Sequence, residues 1–191
     1  VGQGTSLKTL TLTNSNGAVF NAAVTTGTSV VLSNTVAGQT VRFANDLTTP
    51  TLTTTANGYH VELLGSATSI TNATTFLNTG NVVLGNGAGD SLTFTAGLTA
   101  TAPAAISAAG TVNTTNAAMS LGDSNTALTL TADLTLNTAG GALTLGGAVN
   151  GTTANTESLS LNTGSTGVIS VVGGVGQGTS LKTLTLTNSN G

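Results

Sequence analysis

Apolar and polar residues alternate singly along most of this chain. In Thr9-Leu10-Thr11-Leu12-Thr13 the leucines share one side and the threonines the other, the two-residue period of a β-strand with one buried face. The alternation returns in Val41-Arg42-Phe43, Val61-Glu62-Leu63, Leu92-Thr93-Phe94, Leu128-Thr129-Leu130, Leu134-Thr135-Leu136, Leu143-Thr144-Leu145 and Leu159-Ser160-Leu161. Between these short strands stand Asn16-Gly17, Asn57-Gly58, Asn86-Gly87 and Asn150-Gly151, with Gly140-Gly141, Gly146-Gly147 and Gly173-Gly174. Asn and Gly tolerate positive φ, so these pairs are predicted corners. The segment from Ala102 to Ala109 invites a helix, but Pro103 and the following Gly110 make it a loop or a poor strand.

Two periods organise the strands. Residues 175–191 repeat residues 1–17 without a change, both reading VGQGTSLKTLTLTNSNG. Residues 1–174 are therefore one full tandem repeat, and 175–191 begin the next. Val1 stands inside a repeat rather than at a start codon, so the natural chain is expected to extend further, with export signals and anchors outside this segment. Within the repeat, Leu12, Leu32 and Leu52 are 20 apart, Val19, Val41, Val61 and Val83 are spaced by 22, 20 and 22, and Gly17, Gly38, Gly58 and Gly80 by 21, 20 and 22. Such a spacing is one turn of a β-solenoid. The second half is less regular, with Leu130, Leu145 and Leu161 spaced by 15 and 16. At about 22 residues per turn the 174-residue repeat makes about eight turns, a rise of roughly 38 Å at the inter-strand distance of about 4.8 Å. The second copy is expected on the last turn in the same register as the first copy on the first.

Composition narrows the class. Charged residues are 5% of the chain and aromatics 3%, while Thr fills 42 of 191 positions and Gly 26. Disordered chains are poor in Leu and Val and rich in Glu, Lys and Pro; this one is 38% hydrophobic with two prolines, so it folds. A stack of turns makes one narrow core that suits aliphatic and β-branched side chains better than large aromatics. Outward threonines then pair from turn to turn. The predicted fold is an all-β parallel β-helix, a β-solenoid. The alternative is a tandem pair of immunoglobulin-like β-sandwiches, although these usually hold a core Trp or Tyr, and the chain has no Trp and only Tyr59.

The run SLKTLTLTNSNG followed by GAVFNAAV, and the segment GGALTLGGAVNGTTANTESLSLNTGSTGVISVVGGVG, resemble the Thr-, Asn- and Gly-rich repeats of giant bacterial surface proteins of the filamentous-haemagglutinin and autotransporter-passenger kind. The likeness is one of low-complexity style. It implies an exported, right-handed parallel β-helix at the bacterial cell surface, serving as an adhesin stalk, fibre or sheath, and it transfers no catalytic residue.

Reactive chemistry is sparse. With no cysteine, thiolate sites are excluded. Lys8, Arg42 and Lys182 are too few to neutralise a nucleic-acid backbone, and no apolar run reaches the roughly 18 residues of a membrane span. His60 has no second His for a metal and is read as a corner residue beside Tyr59. Asp46, Glu62, Asp90, Asp123, Asp133 and Glu157 lie far apart in sequence, with no two judged one turn apart, and are expected to cap turns. Gly85-Asn86-Gly87-Ala88-Gly89-Asp90 matches a calcium nonapeptide only in part, and Gly173 to Gly178 lacks the lysine of a phosphate loop; both are read as corners. The sequons at Asn72, Asn113 and Asn150 are those expected by chance in an Asn- and Thr-rich chain. No catalytic, cofactor or metal residue is therefore expected, and the chain is read as no enzyme. The expected partners are further copies of the repeat. A second reading uses outward Thr triplets, at Thr9, Thr51, Thr93 and Thr129, to bind ice or carbohydrate, although their spacings of 42, 42 and 36 skip turns.

Overall fold

A computed structural model describes residues 1–2 and 4–190, and every described element is a strand. All strand pairs are parallel. Parallel neighbours joined by short corners require the chain to circle once between them, so the fold is a β-solenoid of about eight turns. An immunoglobulin-like sandwich is antiparallel, and that alternative is overturned.

Each turn contributes to three stacks. The first stack runs β2 (Ala18–Phe20), β4 (Thr40–Phe43), β7 (His60–Leu63), β10 (Val82–Leu84), β13 (Ala105–Asn113), β15 (Ala127–Asn137) and β17 (Val149–Gly151). The second runs β3 (Val24–Ser33), β5 (Leu47–Thr49), β8 (Ala67–Ile70), β11 (Ser91–Phe94), the far halves of β13 and β15, β18 (Ser158–Asn162) and β20 (Thr183–Thr187). The third begins with β1 (Leu7–Thr13), the far half of β3 and β6 (Thr51–Thr54). It continues through β9 (Thr74–Thr75), β12 (Leu98–Ala100), β14 (Met119–Leu121), β16 (Leu143–Leu145) and β19 (Ile169–Val171). Side-chain bonds such as Thr54 Oγ1 to the Thr75 carbonyl, 3.3 Å, link its two parts.

Every alternating segment named from the sequence is strand, with its apolar residues inward: Val41, Phe43, Val61, Leu63, Leu134, Leu136, Leu159 and Leu161 are all buried. The columns differ from those the even spacing suggested. Turn length varies from 19 residues, between Leu7 and Thr26, to 26, between Thr144 and Ser170. Leu12 stacks on Leu32, but Leu52 stacks on Val30. Val19 faces solvent beside Arg42, and it is Ala18 that continues the Val41 column. One residue of slip moves a side chain to the opposite face, so parity decides membership where spacing does not.

Two further expectations are corrected, and an open one is resolved. Phe43, Tyr59, Phe76 and Phe94 are fully buried, so the core does admit aromatics; Phe43 stacks on Phe20 with centroids 5.0 Å apart, and Phe76 meets Phe94 edge-on at 6.4 Å. Asn150-Gly151 is strand rather than corner. The alanine-rich segment is strand from Ala105 onward: Ile106 stacks between Val82 and Leu128, and Gly110, at φ +78°, carries the bend between two stacks. Tertiary pairing overrides the helical preference of alanine there.

The second copy of the repeated segment also departs from expectation. Thr9 to Thr13 lie in the third stack against β3, whereas Thr183 to Thr187 lie in the second stack on β18. From β1 the third stack rises seven turns to β19, and the chain then passes Val175, bridged to Val149 in the first stack, before β20 in the second. The 174-residue advance is thus two-thirds of a turn beyond seven, about 37 Å at about 4.8 Å per turn.

Candidate functional site

Outward residues form columns because the parallel register carries each position directly onto the next turn. On the second stack Ser91, Thr111, Thr135, Ser160 and Thr185 form one column, and Thr93, Asn113, Asn137, Asn162 and Thr187 form its neighbour. The two columns are two residues apart on each strand, about 6.7 Å, and successive turns are about 4.8 Å apart. The result is a polar lattice on five consecutive turns. Within it the Asn137 amide donates to Asn113 Oδ1 at 3.2 Å. The third stack carries Thr9, Ser29 and Thr51 on its first three turns, and one column of Thr75, Thr99, Ser120, Thr144 and Ser170 above them. On the first stack the outward column is mixed: Val19, Arg42, Glu62, Val83, Ser107, Thr129 and Asn150. Of the Thr triplets singled out from the sequence, Thr9 and Thr51 share a column of the third stack through Ser29, while Thr93 lies in the second stack and Thr129 in the first, so the four do not make one surface. Ser and Asn fill the turns where Thr is missing, which a search for Thr alone passes over.

A corner motif underlies that lattice. Val112-Asn113-Thr114, Leu136-Asn137-Thr138 and Leu161-Asn162-Thr163 recur 24 and 25 residues apart, each with an apolar residue inward, an amide outward and a buried threonine at the bend. Thr114 Oγ1 donates to the Ala117 carbonyl at 2.5 Å and Thr163 Oγ1 to that of Gly167 at 2.9 Å, with Thr138 bonded likewise to Gly141. Each hydroxyl thus closes its own corner. The tripeptide was visible in the sequence, hidden only by its irregular spacing.

The six acidic residues and Arg42 are each engaged structurally. Asp46 Oδ1 accepts from the Ala67 amide at 2.8 Å and Asp133 Oδ1 from that of Ser158 at 2.7 Å, both on the next turn. Asp90 Oδ2 accepts from Asn86 and Gly87 at 2.8 and 2.9 Å, so the Gly85 to Asp90 segment is a corner closed by its own carboxylate. Asp123 accepts from the Asn125 amide at 2.8 Å, which holds its carboxyl below the usual carboxylate range. Glu157, only 4% exposed, accepts from Thr152 Oγ1 at 2.6 Å and from the Thr153 amide at 3.2 Å. The Thr152 hydroxyl is the main reason its carboxyl is held low. Asp133 and Glu157 do lie on adjacent turns, because that turn is long, yet their carboxylates serve different loops. Arg42 and Glu62 form an ion pair one turn apart, which raises the Arg42 pKa further.

His60 Nδ1 accepts from the Asn81 amide at 2.8 Å. Tyr59 is buried, its hydroxyl accepting from the Thr55 amide at 3.0 Å and donating to the Leu32 carbonyl at 3.1 Å. The Gly173 to Gly178 run stacks on the corner below: a Cβ on Gly173 would stand 2.1 Å from the Gly147 carbonyl, and Gly178 donates to Asn150 Oδ1 at 2.8 Å. Asn72, the first sequon, donates to Thr51 Oγ1 at 2.8 Å. Among the described residues no cavity opens, no group of three His, Asp or Glu converges, and no helix is long and apolar enough to cross a membrane. No protein-family profile, curated protein or solved structure matches the chain.

Proposed function

We propose that this chain is a structural repeat of a long extracellular fibre, an adhesin stalk or sheath at a bacterial surface, built by end-to-end continuation of solenoid repeats. The observation that carries this reading is the duplicated segment. Residues 175–190 return to the sequence of the first turn and stack on the last one, so the same chain direction and core are ready to run on. The acidic side chains outside the core serve corners and turn-to-turn bonds, as befits a spacer whose properties belong to the polymer. The extracellular and bacterial parts of the reading come from the resemblance of its Thr-, Asn- and Gly-rich repeats. Electron images of the native material, or fibre diffraction, should show filaments with an axial period near 37 Å; globular particles without that period refute it.

The double column of the second stack favours one further reading, a binding face for ice or a crystalline carbohydrate. Regularly spaced hydroxyl and amide groups at about 6.7 by 4.8 Å present a repeating set of donors and acceptors. Thermal hysteresis, or retention on insoluble polysaccharide, would support it. A protein showing neither has no such face.

A further inference from the structure

We propose that the solenoid carries a built-in joint between the turns of β6 and β9, at which the third face parts and closes while the first and second faces stay paired. The joint belongs to the interior of this chain and goes beyond the fibre reading, in which it recurs once per repeat.

On two faces these turns are laddered without interruption. Val61, Glu62 and Leu63 pair with Val82, Val83 and Leu84 on the first, and Thr48 and Thr49 pair with Ser69 and Ile70 on the second. On the third face β6 pairs only with β3 below it, and β9 only with β12 above it. β9 is held upward in other ways too. The Thr74 and Phe76 amides donate to the Gly97 and Thr99 carbonyls at 3.0 and 2.9 Å, and the Phe76 ring meets that of Phe94. The third stack is thus cut into a lower and an upper body, each continuous in itself.

A threonine hydroxyl stands where the ladder is missing. Two and three turns above Leu77, at the same point of the third stack, the Gly122 and Gly146 amides donate to the Ala100 and Leu121 backbone carbonyls, both at 2.9 Å. The Leu77 amide donates instead to Thr54 Oγ1 at 2.7 Å, and that hydroxyl donates to the Thr75 carbonyl at 3.3 Å. Thr54 is buried, so its one oxygen latches the two bodies together. Towards the first face a backbone bond, from Thr79 to the Asn57 carbonyl at 2.9 Å, crosses beside it.

The core behind the latch favours parting. Asn78 is fully buried; its Nδ2 donates to the Tyr59 carbonyl at 3.1 Å, and its Oδ1 has no partner, the single buried side-chain oxygen or nitrogen so left among the described residues. When the turns part, water reaches that oxygen and the desolvation cost of the closed form is recovered. Local opening concentrates where few bonds must break. Here those are the two bonds of the Thr54 hydroxyl and the bond of Thr79, with the ladders of the other faces as the pivot.

Hydrogen exchange of the whole chain, followed amide by amide by NMR and corrected for intrinsic rates, tests the joint. Leu77 and Thr79 should be less protected than Gly122 and Gly146. They should also be less protected than Gly85, which bonds across the same two turns on the first face, to the Leu63 carbonyl at 2.8 Å. Thr54→Val removes the latch hydroxyl and keeps the shape of the side chain. It should speed exchange at Leu77 and Thr79 by about five- to tenfold, the worth of one hydrogen bond, and leave Gly85 unchanged. Thr54→Ser should keep the parent pattern. Equal protection of Leu77, Thr79, Gly122 and Gly146 in the parent overturns the joint, and this comparison holds even where Thr54→Val does not fold. A Thr54→Val chain that speeds Gly85 as much as Leu77 overturns it as well, because the faces then open together. The axial period of the fibre tests the other reading separately.

Discussion

Close stacking of glycine corners makes Gly147→Ala a sharp probe of the solenoid. A Cβ there would stand 2.0 Å from the Thr126 carbonyl oxygen and 2.5 Å from that of Asp123, both backbone atoms of the turn below. Ordinary contact begins near 3.4 Å, so the turns must part locally by more than an ångström. The bonds that hold them together sit on either side: Gly146 to the Leu121 carbonyl at 2.9 Å, and Leu128 to that of Ala148 at 2.8 Å. Losing both costs about 2 kcal/mol at about 1 kcal/mol each, and overpacking adds about 1–3 kcal/mol. The expected destabilisation is about 3–5 kcal/mol. Two controls separate sterics from backbone strain. Gly38 has open space but a φ of +77°, so Gly38→Ala should cost about 1–2 kcal/mol. Gly89 has open space and no such constraint, and Gly89→Ala should be neutral or stabilise by about 0.4–1 kcal/mol. Urea unfolding followed by far-ultraviolet circular dichroism gives the order, with the slope checked because stacked turns can melt in parts. If Gly147→Ala unfolds at the same urea concentration as Gly89→Ala, the turns are not packed as described.

The duplicated leucine offers a second comparison: Leu12→Ala should cost about 2 kcal/mol or more, as a buried large-to-small change does, while Leu186→Ala, 54% exposed, should fall within about 0.5 kcal/mol of the parent in dilute solution. Glu157 and Asp123 have folded-state pKa values below their usual 4.5 and 3.8, so their stabilisation is present above those values and is lost as pH falls through the lower folded ones. Stability should decline on acidification below about pH 4.5, and Glu157→Gln should flatten that decline in urea midpoints measured from pH 6 to pH 2. The Arg42 and Glu62 pair, with the Arg42 side chain 47% exposed, should show a coupling of no more than about 1 kcal/mol in a double-mutant cycle, shrinking with added salt.

Strand content was legible in the sequence because period-two alternation and burial are the same fact seen twice. Leu134, Leu136, Leu159 and Leu161 needed no tertiary information to be placed inward. Stacking order was not legible in the same way. It depends on corner lengths, and corners such as Thr114 to Ala117 and Thr163 to Gly167 differ by a residue while closing with the same hydroxyl-to-carbonyl bond. That single residue shifts every later column. Ala102 to Ala109 stayed open between loop and poor strand because the partners that make it strand from Ala105 onward lie a full turn away on either side, at Val82 and Leu128. The outward lattice of the second stack was barely legible: of its residues only Thr93 stood in a triplet singled out from the sequence, and the Thr, Asn and Ser that complete it belong to a column only once register is known.

The fractional advance of the repeat bears on which function suits it. A binding face needs its columns to run straight for as long as the ligand is flat, which requires a whole number of turns per repeat. Here the duplicated segment moves from the third stack to the second. If later repeats keep that step, the double column passes to a new side at each repeat and regains its first side only after three. No side of the polymer then differs from another over long distances, and a ligand as wide as a crystal face meets one repeat's lattice at a time. For a stalk or sheath the same step is favourable, because it spreads the longer corners and the exposed valines evenly around the axis and leaves no persistent seam for fibres to aggregate along.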